Sequence, residues 1–251
     1  MLTNIARLIG LGFTCLLLLS AQERPVPPPA CEAFPTDDAV ILPHQSEPAA
    51  LSLNVLAPMW KSSVIARMDR RCQTGVKIEG IQTEVRAFWT DTAIYFLFVC
   101  PYKVLNLFTP PQPDAPRTKL WDRDVVEIFL GSDWEHTRRY REFEIAPTGD
   151  WIDLAIDLDR RGGNDRSWRS GWTTMARIDT DRKIWYAAAR IPLKSISETP
   201  VTHGTRWRGN LYRIDGEGPD SGRNFLCWRP SCVTNRDPNH VPERFGTFVF
   251  E

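Results

Sequence analysis

From residue 83 onward, apolar side chains recur at every second position in short runs separated by turn residues, and no amphipathic stretch keeps a helical period for three turns. Successive side chains of an extended strand point to opposite faces, so this pattern predicts half-buried β-strands. Thr83 to Trp89 sets Val85, Ala87 and Trp89 against Glu84, Arg86 and Phe88, turns at Thr90-Asp91-Thr92, and enters the almost wholly apolar run Ala93 to Cys100. The pair reads as a hairpin whose second strand is covered on both faces. Further strands are predicted at Asp124 to Leu130, Tyr140 to Ala146, Trp151 to Leu158, Thr173 to Ile178, Trp185 to Ile191, Arg208 to Ile214 and Gly246 to Phe250. Many short antiparallel strands at this spacing predict an all-β fold, a two-sheet β-sandwich of jelly-roll type in one domain.

The first 35 residues carry no such alternation. Met1 to Ser20 has one cation, Arg7, then an apolar run from Leu8 to Leu19 that is too short to span a bilayer, followed by small residues at Ser20 and Ala21. This predicts a cleaved secretory signal over residues 1–21 and a secreted or periplasmic product with no membrane span after cleavage. Residues 22–35 contain Pro-Val-Pro-Pro-Pro and read as an extended proline-rich spacer, which places the folded domain at 36–251. Export implies an oxidising compartment in which Cys31, Cys72, Cys100, Cys227 and Cys232 can pair. Cys227 and Cys232 are near enough in sequence for a local loop bridge, and the thiol left over by the odd number is assigned to Cys31 or to a buried strand position.

Composition narrows the function. With 42% hydrophobic residues and 31 basic against 31 acidic side chains, the chain is neither disordered nor equipped with the basic excess that nucleic acid binding needs. An uncharged ligand or a protein partner fits that balance. No Ser/His/Asp motif, phosphate-binding loop, dinucleotide fingerprint or zinc spacing is present. Ten tryptophans remain to be explained.

Three stretches can carry chemistry. In Leu120 to Leu130 a tryptophan, Trp121, and a cluster of charges lead into a strand, where Val126, Ile128 and Leu130 share one face and Glu127 points to the other with Val125 and Phe129. A carboxylate among apolar neighbours must be paired, hydrogen-bonded or at a binding surface. In Tyr140 to Ile145, Glu142 and Glu144 share a face; they read either as acceptors for sugar hydroxyls, as part of an acid/base pair for glycosidic cleavage, or as a solvated face with partners such as Arg190 or Arg213. The third stretch, Asn224 to Pro230 with the loop through Asn239, His240 and Pro242 to Gly246, is long enough to form one wall of a site.

The segments 83–98, Leu-Trp-Asp-Arg-Asp-Val-Val-Glu-Ile-Phe-Leu at 120–130, Tyr-Arg-Glu-Phe-Glu-Ile-Ala-Pro at 140–147 and Pro-Glu-Arg-Phe-Gly at 242–246 together resemble carbohydrate-binding module family 9, within the DOMON-like sandwiches. The resemblance implies a β-sandwich that holds the end of a glycan chain between two tryptophan rings, binds calcium structurally, and works alongside xylan- or cellulose-degrading enzymes. It makes Trp121 the first stacking ring and Glu127 the acceptor of sugar hydroxyls. The place of the second ring holds Asn239 and His240, the family's arginine on the following strand is replaced by Glu144, and Trp228 is the substitute ring. The expected function is therefore non-catalytic recognition of a neutral oligo- or polysaccharide. A glycoside hydrolase using Glu127 with Glu144 or Asp153 is the alternative. A haem-binding electron carrier drawing an axial ligand from Met59, Met68 or Met175 is the third reading.

Overall fold

The alternation between residues 83 and 100 is satisfied by burying both of its strands. In the computed structural model, which describes Cys31 and residues 39–48, 50–216 and 222–251, β4 (Thr83–Trp89) turns Val85, Ala87 and Trp89 into the main core, and β5 (Ala93–Pro101) pairs with it antiparallel. Phe96 and Phe98 of β5 face the same core, while Tyr95 and Leu97 on its other side are covered with Phe88 by the buried Trp60. These two strands are the centre of a five-stranded sheet completed by β2 (Val64–Met68), β11 (Ile184–Pro192) and β10 (Thr173–Asp179), in the order β10-β11-β5-β4-β2.

A nine-stranded sheet packs against it. Its path runs β1 (Ala39–Leu42), β14 (Gly246–Phe250), β12 (Arg206–Asp215), β6 (Val125–Gly131), β7 (Arg139–Ile145), β8 (Trp151–Asp157) and β9 (Asn164–Asp165), with β13 (Asn224–Cys227) bridging β12 to β3 (Arg70–Arg71). All pairings are antiparallel except β1 with β14. Val126, Ile128, Leu130, Phe143, Ile145 and Phe248 meet the apolar face of the five-stranded sheet, with Phe96 and Phe248 edge to face at 6.1 Å. Each such large side chain contributes roughly 1.5–3 kcal/mol by leaving water. The two-sheet sandwich expected from the alternation is thus what forms, and each of the nine expected strands lies within about two residues of its expected ends.

Polar groups tie the layers at one end. Arg213 is fully buried; its Nη1 donates to the carbonyls of Ile81 and Pro101 at 3.0 and 2.8 Å and to the Thr83 hydroxyl, and its Nη2 pairs with Asp215 at 2.9 Å. At Gly209 a Cβ would lie 2.2 Å from the Phe129 carbonyl, so β12 can approach β6 this closely only with glycine there.

The disulfide differs from expectation. Cys232 pairs with Cys31, and Cys227 is a buried free thiol. Cys227 is a strand residue whose side chain is buried beside Cys72 on the face it shares with Tyr212, which leaves Cys232, in the loop beyond, to accept the bridge from the amino-terminal segment. Apart from Cys31, the expected signal and spacer lie outside the described residues, and among those residues no helix is long and apolar enough to cross a membrane. Because the bridge spans 201 residues, Cys31→Ser is expected to lower stability by about 2–5 kcal/mol in denaturant unfolding monitored by tryptophan fluorescence. An unchanged unfolding midpoint would show that the bridge does not constrain the domain.

Candidate functional site

Register across the centre of the larger sheet decides which side chains meet. Val126 pairs with Ile145 and Ile128 with Phe143 towards the core, so the intervening Glu127 is set directly opposite Glu144, and Phe129 opposite Glu142, on the outer face. Tyr212 of β12 and Ile152 and Leu154 of β8 fill the neighbouring positions of that face. Three carboxylates therefore lie among apolar and aromatic groups, with Glu127, Glu142 and Glu144 only 2%, 3% and 0% exposed.

Two connections close over them. The single turn Leu120–Asp122 leads into β6 and places Trp121, partly buried, at the rim; its carbonyl accepts from Nη1 of Arg223, and the Arg166 guanidinium lies 5.7 Å from its ring. Opposite, the loop before β14 is pinned through Asn239. Asn239 Nδ2 donates to Glu127 at 2.9 Å, its carbonyl accepts from the Tyr212 hydroxyl at 2.8 Å, and its amide donates to Asp237 at 2.9 Å. His240 follows, its Nδ1 hydrogen-bonded with the Tyr140 hydroxyl at 2.5 Å and its ring 5.2 Å from that of Phe129. The result is a cavity of about 400 Å³ in which Trp121, Asp122, Glu127, Glu142, Asn239 and His240 converge, with Asp237, Arg223, Phe225 and Asn164 completing the wall.

The electrostatics are those of carboxylates short of counter-charge. Burial, followed by the neighbouring charges of Glu142 and Asp237, holds the Glu127 carboxyl well above the usual range. Burial also raises Glu142, with His240 working against the shift, and raises Glu144 strongly together with repulsion from Glu142 and Glu127. Glu142 Oε2, both Glu144 oxygens and Asn239 Oδ1 are buried without a hydrogen-bond donor. Such a face offers acceptors to a ligand that brings donors.

The sequence-derived site is brought together in part. Trp121, Glu127, Asn239 and His240 line one cavity; Glu144 lies outside its lining, fully buried on the face it shares with Glu142. Trp228 belongs elsewhere. Its ring packs on Phe248 at 5.2 Å and lies so close to Gly246 that a Cβ there would come within 2.5 Å, so it fills the space between the sheets instead of facing a ligand. Asp153 pairs with Phe143, not with the Glu144 row, and turns to the opposite face, where its Oδ2 accepts from the Ser170 amide and hydroxyl. The proposed acid/base partners of Glu127 are thus on the wrong face, for Asp153, or outside the cavity wall, for Glu144. Neither Arg190 nor Arg213 meets Glu142: Arg190 is engaged with Glu47 on the other sheet, and Arg213 faces the inner side. Met59, Met68 and Met175 do not line the cavity with His240. Asp122 and Phe225 fall within the first and third stretches, but Asn164, Arg223 and Asp237 were not singled out by sequence reasoning, because they come from loops and a short strand that only the fold brings over the sheet.

Calcium takes six to eight oxygen ligands. Among the described residues no group of three or more His, Cys, Asp or Glu side chains converges to hold a metal ion. The buried Asp150 carboxylate is already engaged by the Gln112 amide, the Thr148 hydroxyl and Arg117 Nε.

The pattern of residues and this architecture agree with a match to the family model for carbohydrate family 9 binding domain-like proteins over residues 54–248. The chain belongs to that family. Three solved structures share the family 9 fold. A candidate carbohydrate-binding protein from Bacteroides uniformis ATCC 8492 superposes with a TM-score of 0.68 at 16% identity, over 85% of this chain and 99% of that one. A family 9 carbohydrate-binding module from Caldicellulosiruptor kristjanssonii, in complexes with cellotriose and with glucose, superposes with a TM-score of 0.59 at 15% identity in both cases, over 85% of this chain and 94% and 96% of those. A search of curated proteins returns no significant match.

In this family 9 domain, Glu144 gives a stability test. A carboxyl whose folded pKa is raised contributes stability that is complete below its ordinary value, near 4.5, and is lost as pH rises through the folded value. Glu144→Gln removes that loss, so the variant is expected to gain roughly 1–3 kcal/mol at about pH 8 and little at about pH 4. Thermal unfolding at both pH values checks this, and equal midpoints at pH 8 would show that Glu144 carries no burial penalty.

Proposed function

We propose that the domain binds the end of a carbohydrate chain without cleaving it, in the cavity framed by Trp121, Glu127 and Asn239. The observation that carries the reading is the pairing of a partly exposed indole with a buried carboxylate fixed by an asparagine in one cavity of about 400 Å³. A pyranose has apolar C–H faces that stack on an aromatic ring and a rim of hydroxyls that donate to fixed acceptors, so both halves of such a site have a use. The complexes of the Caldicellulosiruptor kristjanssonii module with cellotriose and glucose support a glucan-type ligand. Stacking here is one-sided, since Trp228 is committed to the core and the opposing wall is built from Asn239 and His240.

The amino-terminal leader and the Cys31–Cys232 bridge support export, and a binder of this kind serves polysaccharide breakdown by holding xylan- or cellulose-type chains near the enzymes that cut them. Nothing in the reading depends on calcium. Calorimetric titration with cello- and xylo-oligosaccharides is expected to show binding that Trp121→Ala weakens about tenfold or more, with circular dichroism unchanged. Binding that survives the substitution at full strength would move the site away from Trp121.

A further inference from the structure

The chain as a whole is electrically neutral, but this cavity is not. Among the described residues, Asp122, Glu127, Glu142 and Asp237 line it with one arginine, Arg223, whose Nη1 donates to the Trp121 carbonyl, and with His240, whose Nδ1 is hydrogen-bonded with the Tyr140 hydroxyl and whose Nε2 lies 3.9 Å from both Glu142 and Asp237. Of the lining groups, Glu142 is 3% exposed and its Oε2 has no hydrogen-bond donor, with only His240 Nε2 near it at 3.9 Å, and Asn239 is also 3% exposed, its Oδ1 unpartnered while its Nδ2 is held by Glu127. The cavity thus presents unpartnered acceptors and acidic groups together, and hydroxyls alone would satisfy only the first.

We propose that the sugar preferred at this site carries a protonated amine, as a 2-amino-2-deoxypyranose at the end of a chain does. The inference rests on the carbohydrate reading above and narrows it. An ammonium group supplies three N–H donors on one atom together with the charge that the buried carboxylates need, and charge-assisted bonds are roughly twice as strong as neutral ones. A bare divalent ion would need the same oxygens drawn into a closed shell, and among the described residues no three acidic or histidine side chains converge in that way. An ammonium on a sugar makes no such demand, because it reaches each acceptor at hydrogen-bond distance from its place on the ring. The wider polymer can remain glucan-like, with hydroxyls meeting Glu127 and a pyranose face meeting Trp121.

The test is calorimetric titration of the full chain with glucose, N-acetylglucosamine and glucosamine at about pH 6, where the amine is charged, with an acetylated lysine amide as an amine that is not a sugar. Glucosamine is expected to bind about tenfold tighter than either neutral sugar and tighter than the lysine derivative. Glu142→Gln should bring the glucosamine-to-glucose affinity ratio close to one, and Asp237→Asn, at the more exposed rim, should lower it in the same direction if the first variant does not fold. Glucose binding without any preference for glucosamine, or a preference that survives both substitutions, overturns the amine inference and leaves carbohydrate binding in place. A lysine derivative that binds as well as glucosamine overturns the sugar half of it. Absence of binding to all three sugars overturns the carbohydrate reading itself, and this inference with it.

Discussion

The registry of β6 against β7 is the constraint on which the site depends. Val126, Ile128, Phe143 and Ile145 must all face the five-stranded sheet, and a slip of one residue would turn the whole set outward. Hydrophobic burial along one face therefore fixes Glu127 opposite Glu144 and puts Glu142 beside Phe129 on the other, whatever that arrangement costs in electrostatics. The cost is real, since burial drives all three carboxyls upward. It is borne by the many apolar contacts of the sandwich and by the few polar bonds, above all Asn239 to Glu127, that keep the outer face from being wholly unsatisfied.

That arrangement links the fold to recognition. A rigid pair of central strands holds the acceptors, and the loops that arrive over them supply what a sheet cannot, an indole at the rim and an asparagine clasped on three sides. Local negative charge inside a neutral chain shows why whole-chain charge is a poor guide to a ligand. The zero balance argues against nucleic acid over the full surface, yet it says nothing about a cavity where, among the described residues, four acidic side chains face one arginine and one histidine.

Sequence and structure agree most closely where periodicity is strongest. The strands that begin at Thr83, Val125, Arg139, Trp151, Thr173, Ile184, Arg206 and Gly246 carry a pattern that identifies their extent, as does the apolar run from Ala93, and alternation was enough to place Glu142 and Glu144 on one face of their strand. β1, β3, β9 and β13 are only two to four residues long and give alternation nothing to act upon. The same limit hid the disulfide, because proximity in sequence favoured Cys227 while its burial on a four-residue strand removed it.

Tryptophan shows the division between the two sources of information. Trp121 and Trp228 are alike as letters, each beside charged residues near a strand end, and no spacing distinguishes a binding platform from a core filler. What separates them is that β14 passes with a glycine at position 246, which leaves room for the Trp228 ring between the sheets, whereas Trp121, packed on the outer cluster, also lines the cavity. The sequence by itself determined the sandwich, the face of its central carboxylates and the family, because those follow from a period of two and from local motifs. Only the tertiary structure decided which aromatic is spent on packing, which acceptors remain without donors, and which loop residues complete the cavity, because each of these depends on contacts between segments far apart in the chain.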